Sequence, residues 1–316
     1  MAAFGWQDGE IVPWDQCVIH VRTQGAMTGT SVFEGLRGYW SDEDEELYLF
    51  RVDDHLRRLE QSAKIARIPA PFSRAELADA CRSLAVANEF REDIHFLVTY
   101  YLGLSDDLIM MTPTSDVVTS VTAVARGGRA ITDRGLSCQV SSWRRISEND
   151  MPPRVKAGAN YYHGRLARLE ANHNGYDNAI FLDASGNVAE STGACVMIVR
   201  DGVVATPLVT DGILDSITRN TVGRLAVELG YELVERHIGR SELYVSDEVF
   251  LCGTGAEVTA VGSIDGLEIG DAMPGPVTRA LRTAYQDVVH GRGGHREWLT
   301  HVYGEVAAEE PEALRG

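Results

Sequence analysis

The chain has 316 residues, 44% of them hydrophobic, and a formal charge of -17 at pH 7. That is enough apolar chain for two compact domains, and the acidic balance argues against a nucleic-acid partner, whose phosphates need a surplus of Lys and Arg. No stretch approaches the ~20 apolar residues of a membrane span, the start MAAFGWQDGE has no export signal, and scattered Cys17, Cys81, Cys138, Cys195 and Cys252 read as reduced thiols of a cytoplasmic protein without a metal centre.

From Trp6 to Arg51, short β-rich runs alternate with turn residues, among them QDGEIV and the acidic SDEDEE, which predicts antiparallel hairpins. Asp53 or Asp54 is placed to cap a helix carrying Leu56, Leu59 and Ala63 on one side. A second helix fits Arg74 to Asn88, and IHFLVTYYLGL from Ile94 reads as a strand. A small helix-and-sheet domain is therefore expected over residues 1–125. The Gly- and charge-rich ARGGRAITDRG marks an interdomain connection at 126–136, followed by a larger domain over 137–316. In that domain a helix is expected from about Tyr161 to Asn174, then the strand AIFLD, then CVMIV turning at Asp201-Gly202 into VVATP. Further helices fit Thr218 to Leu229, stopped by Gly230, and Pro276 to His290, with Val277, Leu281 and Val288 inward.

Five features carry chemistry. Lys156 lies in RVKAGANYY just before a predicted helix. A single lysine is ordinarily a solvated charge, but Ala157, Gly158 and Ala159 let a flat ring approach closely and Tyr161 adds a phenolic hydroxyl, while Asn160 reads as a helix cap. Glu190, in GNVAESTGACVM, is either surface or a carboxylate that keeps a pyridine nitrogen protonated. GILDSITRNTV sets Ser216, Ile217 and Thr218 at a helix start, where free N–H groups favour an anion such as phosphate and where a plain cap explains the same residues. LCGTGAEVT adds the hydroxyl of Thr254 in a glycine turn, but its Gly-x-Gly lacks the third glycine and following helix of a dinucleotide fold. Arg58 has the fork for a bidentate phosphate contact. A lysine for a Schiff base, an acid for the ring nitrogen and a phosphate cradle are the parts of a pyridoxal-phosphate site.

Together with TSVFEGLRGY at 30–39, DHLRRLEQSAKIARIP, SSWRR, DEVFLCGTGAEVTAV, GPVTRAL and a late EWL, these segments span nearly the whole chain. In that order they resemble the fold-type-IV pyridoxal-phosphate enzymes, and the branched-chain aminotransferases in particular. The resemblance implies an α/β (α+β) two-domain fold: a small N-terminal α/β domain, a larger domain with a β-barrel-like core, and the cofactor between them. It implies a homodimer whose partner loops close the site. Lys156 is implied as the Schiff-base lysine and proton shuttle, Glu190 as the partner of the pyridine nitrogen, and Tyr161 as the holder of the ring hydroxyl. Arg58, Thr218 and Thr254, with the N–H of Ile217, are implied at the phosphate beside Ser216, and the Thr254–Gly255 turn at the substrate carboxylate. The implied reaction is ping-pong transfer of an amino group between an amino acid or amine and a 2-oxo acid.

The substrate side departs from that family's pattern. A tyrosine shortly before VFEG is replaced by Thr28, a Tyr-x-Arg pair by Asp93-Ile94-His95, and an interdomain aromatic by Arg126. With Phe33, Gly35 and Gly255 these are the expected substrate residues, and the lost aromatic walls predict a divergent pocket suited to a more polar or differently oriented substrate. Within the same fold, a D-amino-acid or (R)-amine transaminase and a lyase of the aminodeoxychorismate lyase type remain open alternatives.

Overall fold

Hairpins followed by two helices, as expected, build the first part of the chain; the computed structural model describes residues 2–126, 134–271 and 273–304. The order is β1 (Phe4–Gln7), β2 (Glu10–Pro13), α1 (Gln24–Thr28), β3 (Ser31–Ser41), β4 (Glu46–Phe50), α2 (Val52–Ala66), α3 (Arg74–Ala87), β5 (Ile94–Leu102) and β6 (Val117–Ala125). Then come β7 (Leu136–Arg144), α4 (Gly158–His173), β8 (Asn178–Leu182), β9 (Val188–Ser191), β10 (Cys195–Arg200), β11 (Val203–Thr206), α5 (Ile217–Glu228) and β12 (Glu232–Glu235). The last elements are α6 (Arg240–Leu243), β13 (Glu248–Gly253), β14 (Glu257–Ile264), β15 (Leu267–Glu268), α7 (Pro276–Val289) and β16 (Leu299–His301).

The first sheet is antiparallel throughout, in the order β16-β4-β3-β5-β6-β1-β2. The second runs β10-β13-β14-β7-β8-β9 and closes on itself where Cys195 of β10 pairs with Glu190 of β9, giving a six-stranded ring extended by β11 and β12. Alternation along its strands separates two cores. Val196, Ile198, Val249 and Leu251 fill one. Cys195, Met197, Phe250 and Cys252, from the intervening positions, join Tyr39, Tyr48 and Phe50 of the first sheet and Leu281 and Tyr285 of α7 in the other. That shared apolar layer fixes the two sheets against one another.

β6 belongs to the first sheet and β7 to the second; of the expected connection at 126–136, residues 127–133 lie outside the described residues and Leu136 is already in β7. One departure concerns the chain's end. Placed by sequence in the larger domain, β16 pairs with β4 of the first sheet, a three-residue strand with no local signal of its own. Another concerns helix starts. Asp53 and Asp54 do not cap α2; Arg51, in the left-handed region at φ 50, precedes it, and the two carboxylates lie in the first turn, where the helix dipole favours them. Likewise Asn160 lies inside the first turn of α4, its amide donating to the carbonyls of Pro152 (3.2 Å) and Val155 (2.9 Å), so the helix begins at Gly158 rather than near Tyr161.

The start of α3 is a capping box in which Ser73 Oγ accepts the Glu76 N–H and the Glu76 carboxylate accepts the Ser73 N–H. Ser73→Ala is expected to cost about 1 kcal/mol in urea denaturation; a midpoint identical to wild type would contradict the cap's contribution.

Candidate active site

Side-chain alternation along β3 divides its residues between two tasks. Val32 and Leu36 pack with α2 into the core beneath the first sheet, while Phe33 and Gly35 on the opposite face line a cavity of about 220 Å³ between the two sheets. His95 and Leu97 of β5 continue that wall, and Lys156, Tyr161, Glu190 and Thr254 come to it from the second part of the chain.

Lys156 is stitched to the edge of β3. Its carbonyl accepts the Phe33 N–H at 3.0 Å, its own N–H donates to Ser62 Oγ at 3.1 Å, and the next residue, Ala157, bridges to Val32. So fixed, its side chain runs into the cavity, where Nζ donates to the Tyr161 hydroxyl at 2.6 Å and lies 5.0 Å from the centroids of the Phe33 and Tyr161 rings. The chain contains one other lysine, Lys64, and it is exposed on α2. A Schiff base inside the cavity therefore has one possible attachment point among the lysines.

Glu190, on β9, also lines the cavity. Its Oε1 is 2.6 Å from Arg145 and its Oε2 accepts the Leu214 N–H at 3.0 Å. Burial raises its pKa, and Arg145, the Leu214 N–H and Lys156 pull it back. Arg145 in turn donates through Nε to the Gly212 carbonyl at 2.8 Å. It stands in the SSWRR segment but was not among the expected site residues; the available signal was chemical, since a buried carboxylate needs a cation.

Ser216 caps α5 by accepting the Arg219 N–H at 3.2 Å, and it lines the cavity together with Thr254 and Arg58. Ile217 and Thr218 are the buried first residues of the helix, immediately behind Ser216, and do not line the cavity themselves. Arg58 uses its fork within the chain: Nε and one terminal nitrogen donate to both oxygens of Glu34 at 2.6 and 2.8 Å, and the other terminal nitrogen donates to the Asp215 carbonyl at 2.8 Å. His55 Nδ1 is 2.8 Å from the same Glu34 carboxylate. Against the upward push of burial, Arg58 and His55 hold the Glu34 pKa down at about 2.

The expected substrate residues divide. Phe33, Gly35, His95 and Gly255 line the cavity; Thr28 and Asp93 do not. Thr28 ends α1 with its hydroxyl donating back to the Gln24 carbonyl at 2.7 Å. Asp93 is turned to the Trp40 N–H at 2.9 Å and to Arg37 and His290. Arg126 is exposed, yet its guanidinium reaches 4.0 Å from the point where a side chain on Gly255 would begin. A Cβ on Gly35 would lie 3.0 Å from His95 Nε2, so glycine there leaves room for the imidazole. Burial first, then Arg126, Arg37 and Lys156, push the His95 pKa down to about 4, which leaves the ring neutral at pH 7.

Residues 31–264 match the amino-transferase class IV family. The chain is 39% identical over 306 residues to a probable branched-chain-amino-acid aminotransferase of Aquifex aeolicus, covering 95% of this chain and 97% of that protein. It is 36% identical to the branched-chain-amino-acid aminotransferase of Escherichia coli K12, at 95% and 98% coverage. Among solved structures, the PLP form of the branched-chain amino acid aminotransferase of Thermobaculum terrenum is similar with a TM-score of 0.89 and 43% identity, over 95% of this chain and 98% of that one. The branched-chain aminotransferase of the archaeon Thermoproteus uzoniensis, solved with norvaline, is similar with a TM-score of 0.89, 37% identity and coverage of 95% and 99%. The chain therefore belongs to the class IV aminotransferase family and is a pyridoxal-phosphate-dependent aminotransferase.

Proposed function

We propose that Lys156 anchors the cofactor in this cavity and moves the substrate's α-proton. The observation that carries the reading is the 2.6 Å contact between Lys156 Nζ and the Tyr161 hydroxyl in a cavity that also holds the buried Glu190–Arg145 pair. When bound, pyridoxal phosphate supplies an electron sink that acidifies the substrate α-carbon. Lys156 Nζ takes up the α-proton and returns it, a transfer that needs only short reach. Tyr161 orients the ring through its hydroxyl, and Glu190, held in place by Arg145, serves as the partner of the ring nitrogen. Ser216, Thr254 and Arg58, which line the cavity, take the phosphate at the start of α5, and the first-turn residues Ile217 and Thr218 stand behind them with the positive end of the helix dipole. The N–H groups of the Thr254–Gly255 turn take the substrate carboxylate.

The fit rests on the groups at the cavity wall: the Lys156 amine, the Glu190 carboxylate beside Arg145, and the hydroxyls of Ser216 and Thr254 near a helix start that favours an anion. Glu190→Gln tests it. The variant should load cofactor and lower kcat by roughly a hundredfold or more; an unchanged kcat would remove Glu190 from the mechanism.

The relatives support branched-chain amino acids as donors and do not favour the D-amino-acid, (R)-amine or lyase alternatives. Phe33, Leu97 and Val155 give the cavity an apolar wall suited to such side chains. His95 adds a polar group to it and the exposed Arg126 stands near Gly255 at its rim, so the substrate range differs from Val, Leu and Ile alone. Equal kcat/KM on those three, with none higher on a polar donor, would contradict that divergence.

Assembly as a homodimer is supported by four consecutive exposed apolar residues, Leu108 to Met111, on a loop tied down by Arg22 to the Leu108 carbonyl (3.0 Å) and by Gln24 to the Thr112 carbonyl (2.8 Å). No helix among the described residues is long and apolar enough to cross a membrane, and the five free thiols support a reducing, cytoplasmic setting.

A further inference from the structure

Arg37 follows Gly35 by two positions on β3, so it shares the face that lines the cavity, but its guanidinium is buried beyond the cavity wall. One terminal nitrogen is 2.7 Å from Glu257 Oε1. The other donates to the Arg126 carbonyl and lies 3.6 Å from Asp93. Glu257 pairs with Gly253 across the base of the hairpin that carries Thr254 and Gly255. Its backbone is in the left-handed region at φ 53, and its second oxygen accepts from Gln286 of α7 at 3.1 Å. Arg126, for its part, donates its N–H to the Asp93 carbonyl at 2.7 Å.

One guanidinium thus ties together the strand bearing Phe33 and Gly35, the base of the Thr254–Gly255 turn, and the last described residue before the interdomain segment. Glu34 balances Arg58, and Arg145 balances Glu190, at the cofactor end; the Arg37–Glu257 pair belongs to the substrate end. We propose that Arg37 is a positioning residue for the substrate carboxylate: paired with Glu257, it sets the separation between the β3 wall and the Thr254–Gly255 turn. This rests on that turn being the carboxylate seat.

Lysine keeps the charge of Arg37 but loses the two-pronged fork that reaches Glu257 and the Arg126 carbonyl together. A second variant, Arg37→Met with Glu257→Gln, removes the pair without leaving one buried charge alone. The half-reaction is followed through the cofactor's visible band while L-glutamate or L-norvaline is titrated into the holoenzyme. In both variants the half-saturating concentration of each amino acid should rise roughly tenfold to a hundredfold, with the maximal rate within about threefold of wild type and an unaltered cofactor spectrum. Unchanged half-saturation in either variant overturns the proposal. Loss of fold or of cofactor in both also overturns it, because the pair would then serve the fold rather than the substrate. Gly255→Leu, which places a side chain in the seat, separates the two levels: if it leaves half-saturation unchanged the seat itself is wrong, whereas if it raises half-saturation and the Arg37 variants do not, only the role of Arg37 falls.

Discussion

Lys156→Ala is expected to lower kcat by about a thousandfold or more, since it removes both the cofactor's attachment and the group that moves the α-proton. The fold should survive: the backbone contacts at 156 are made by its N–H and carbonyl, and alanine retains both. Circular dichroism and thermal unfolding close to wild type, together with loss of the amino-acid-dependent change in the visible band, would establish the chemical role. A variant keeping more than a tenth of wild-type turnover would contradict it.

Glu34→Gln is expected to have the largest effect on stability. Glu34 is fully buried between Arg58 and His55, and a carboxyl pKa lowered from 4.5 to about 2 corresponds to roughly 3 kcal/mol of stabilisation. The folded pKa lies below the unfolded one, so this stabilisation is fully present above about pH 4.5 and is lost as pH falls toward 2. Glutamine keeps the shape but leaves Arg58 buried without its counter-charge, the kind of change that costs about 3–5 kcal/mol. Urea unfolding at pH 7 should show that loss, and the stability of the variant should depend less on pH between 4.5 and 2 than that of wild type. A change under about 1 kcal/mol would mean that water or the Asp215 carbonyl already satisfies Arg58. The same substitution should weaken cofactor retention, because Glu34 fixes the guanidinium at the cavity wall.

Much of the site was legible because its parts lie in short contiguous segments. Lys156 and Tyr161 stand five residues apart at the start of one helix, and Ser216 to Thr218 are consecutive at another, so local pattern located them. The lysine was easier to place than its sequence context suggested: the chain has two, and one sits on the exposed side of a helix whose other side is core. Arg145, Glu34 and Arg37 were harder. Their partners Glu190, Arg58 and Glu257 are brought close only by the fold, the last pair across 220 positions of sequence, and no local periodicity encodes such a match. Thr28 and Asp93 aligned with substrate positions of the resembling family, but alignment reports where a residue stands, not where its side chain turns. In Thr28 the hydroxyl satisfies a helix carbonyl; in Asp93 the carboxylate answers Arg37. In the fold, helix and strand periods identified the long elements, whereas β16 forms only because β4 presents an open edge to it.

Borohydride reduction of the holoenzyme followed by peptide mass mapping tests whether Lys156 anchors the cofactor. Reduction fixes the pyridoxyl phosphate to the amine that holds it, and with only Lys64 and Lys156 in the chain the assignment is unambiguous among lysines. The pyridoxyl mass on the peptide containing Lys156, and its absence from that of Lys64, is the predicted result; label on Lys64, on the N-terminal amine, or on no peptide would contradict the assignment of this cavity as the active site.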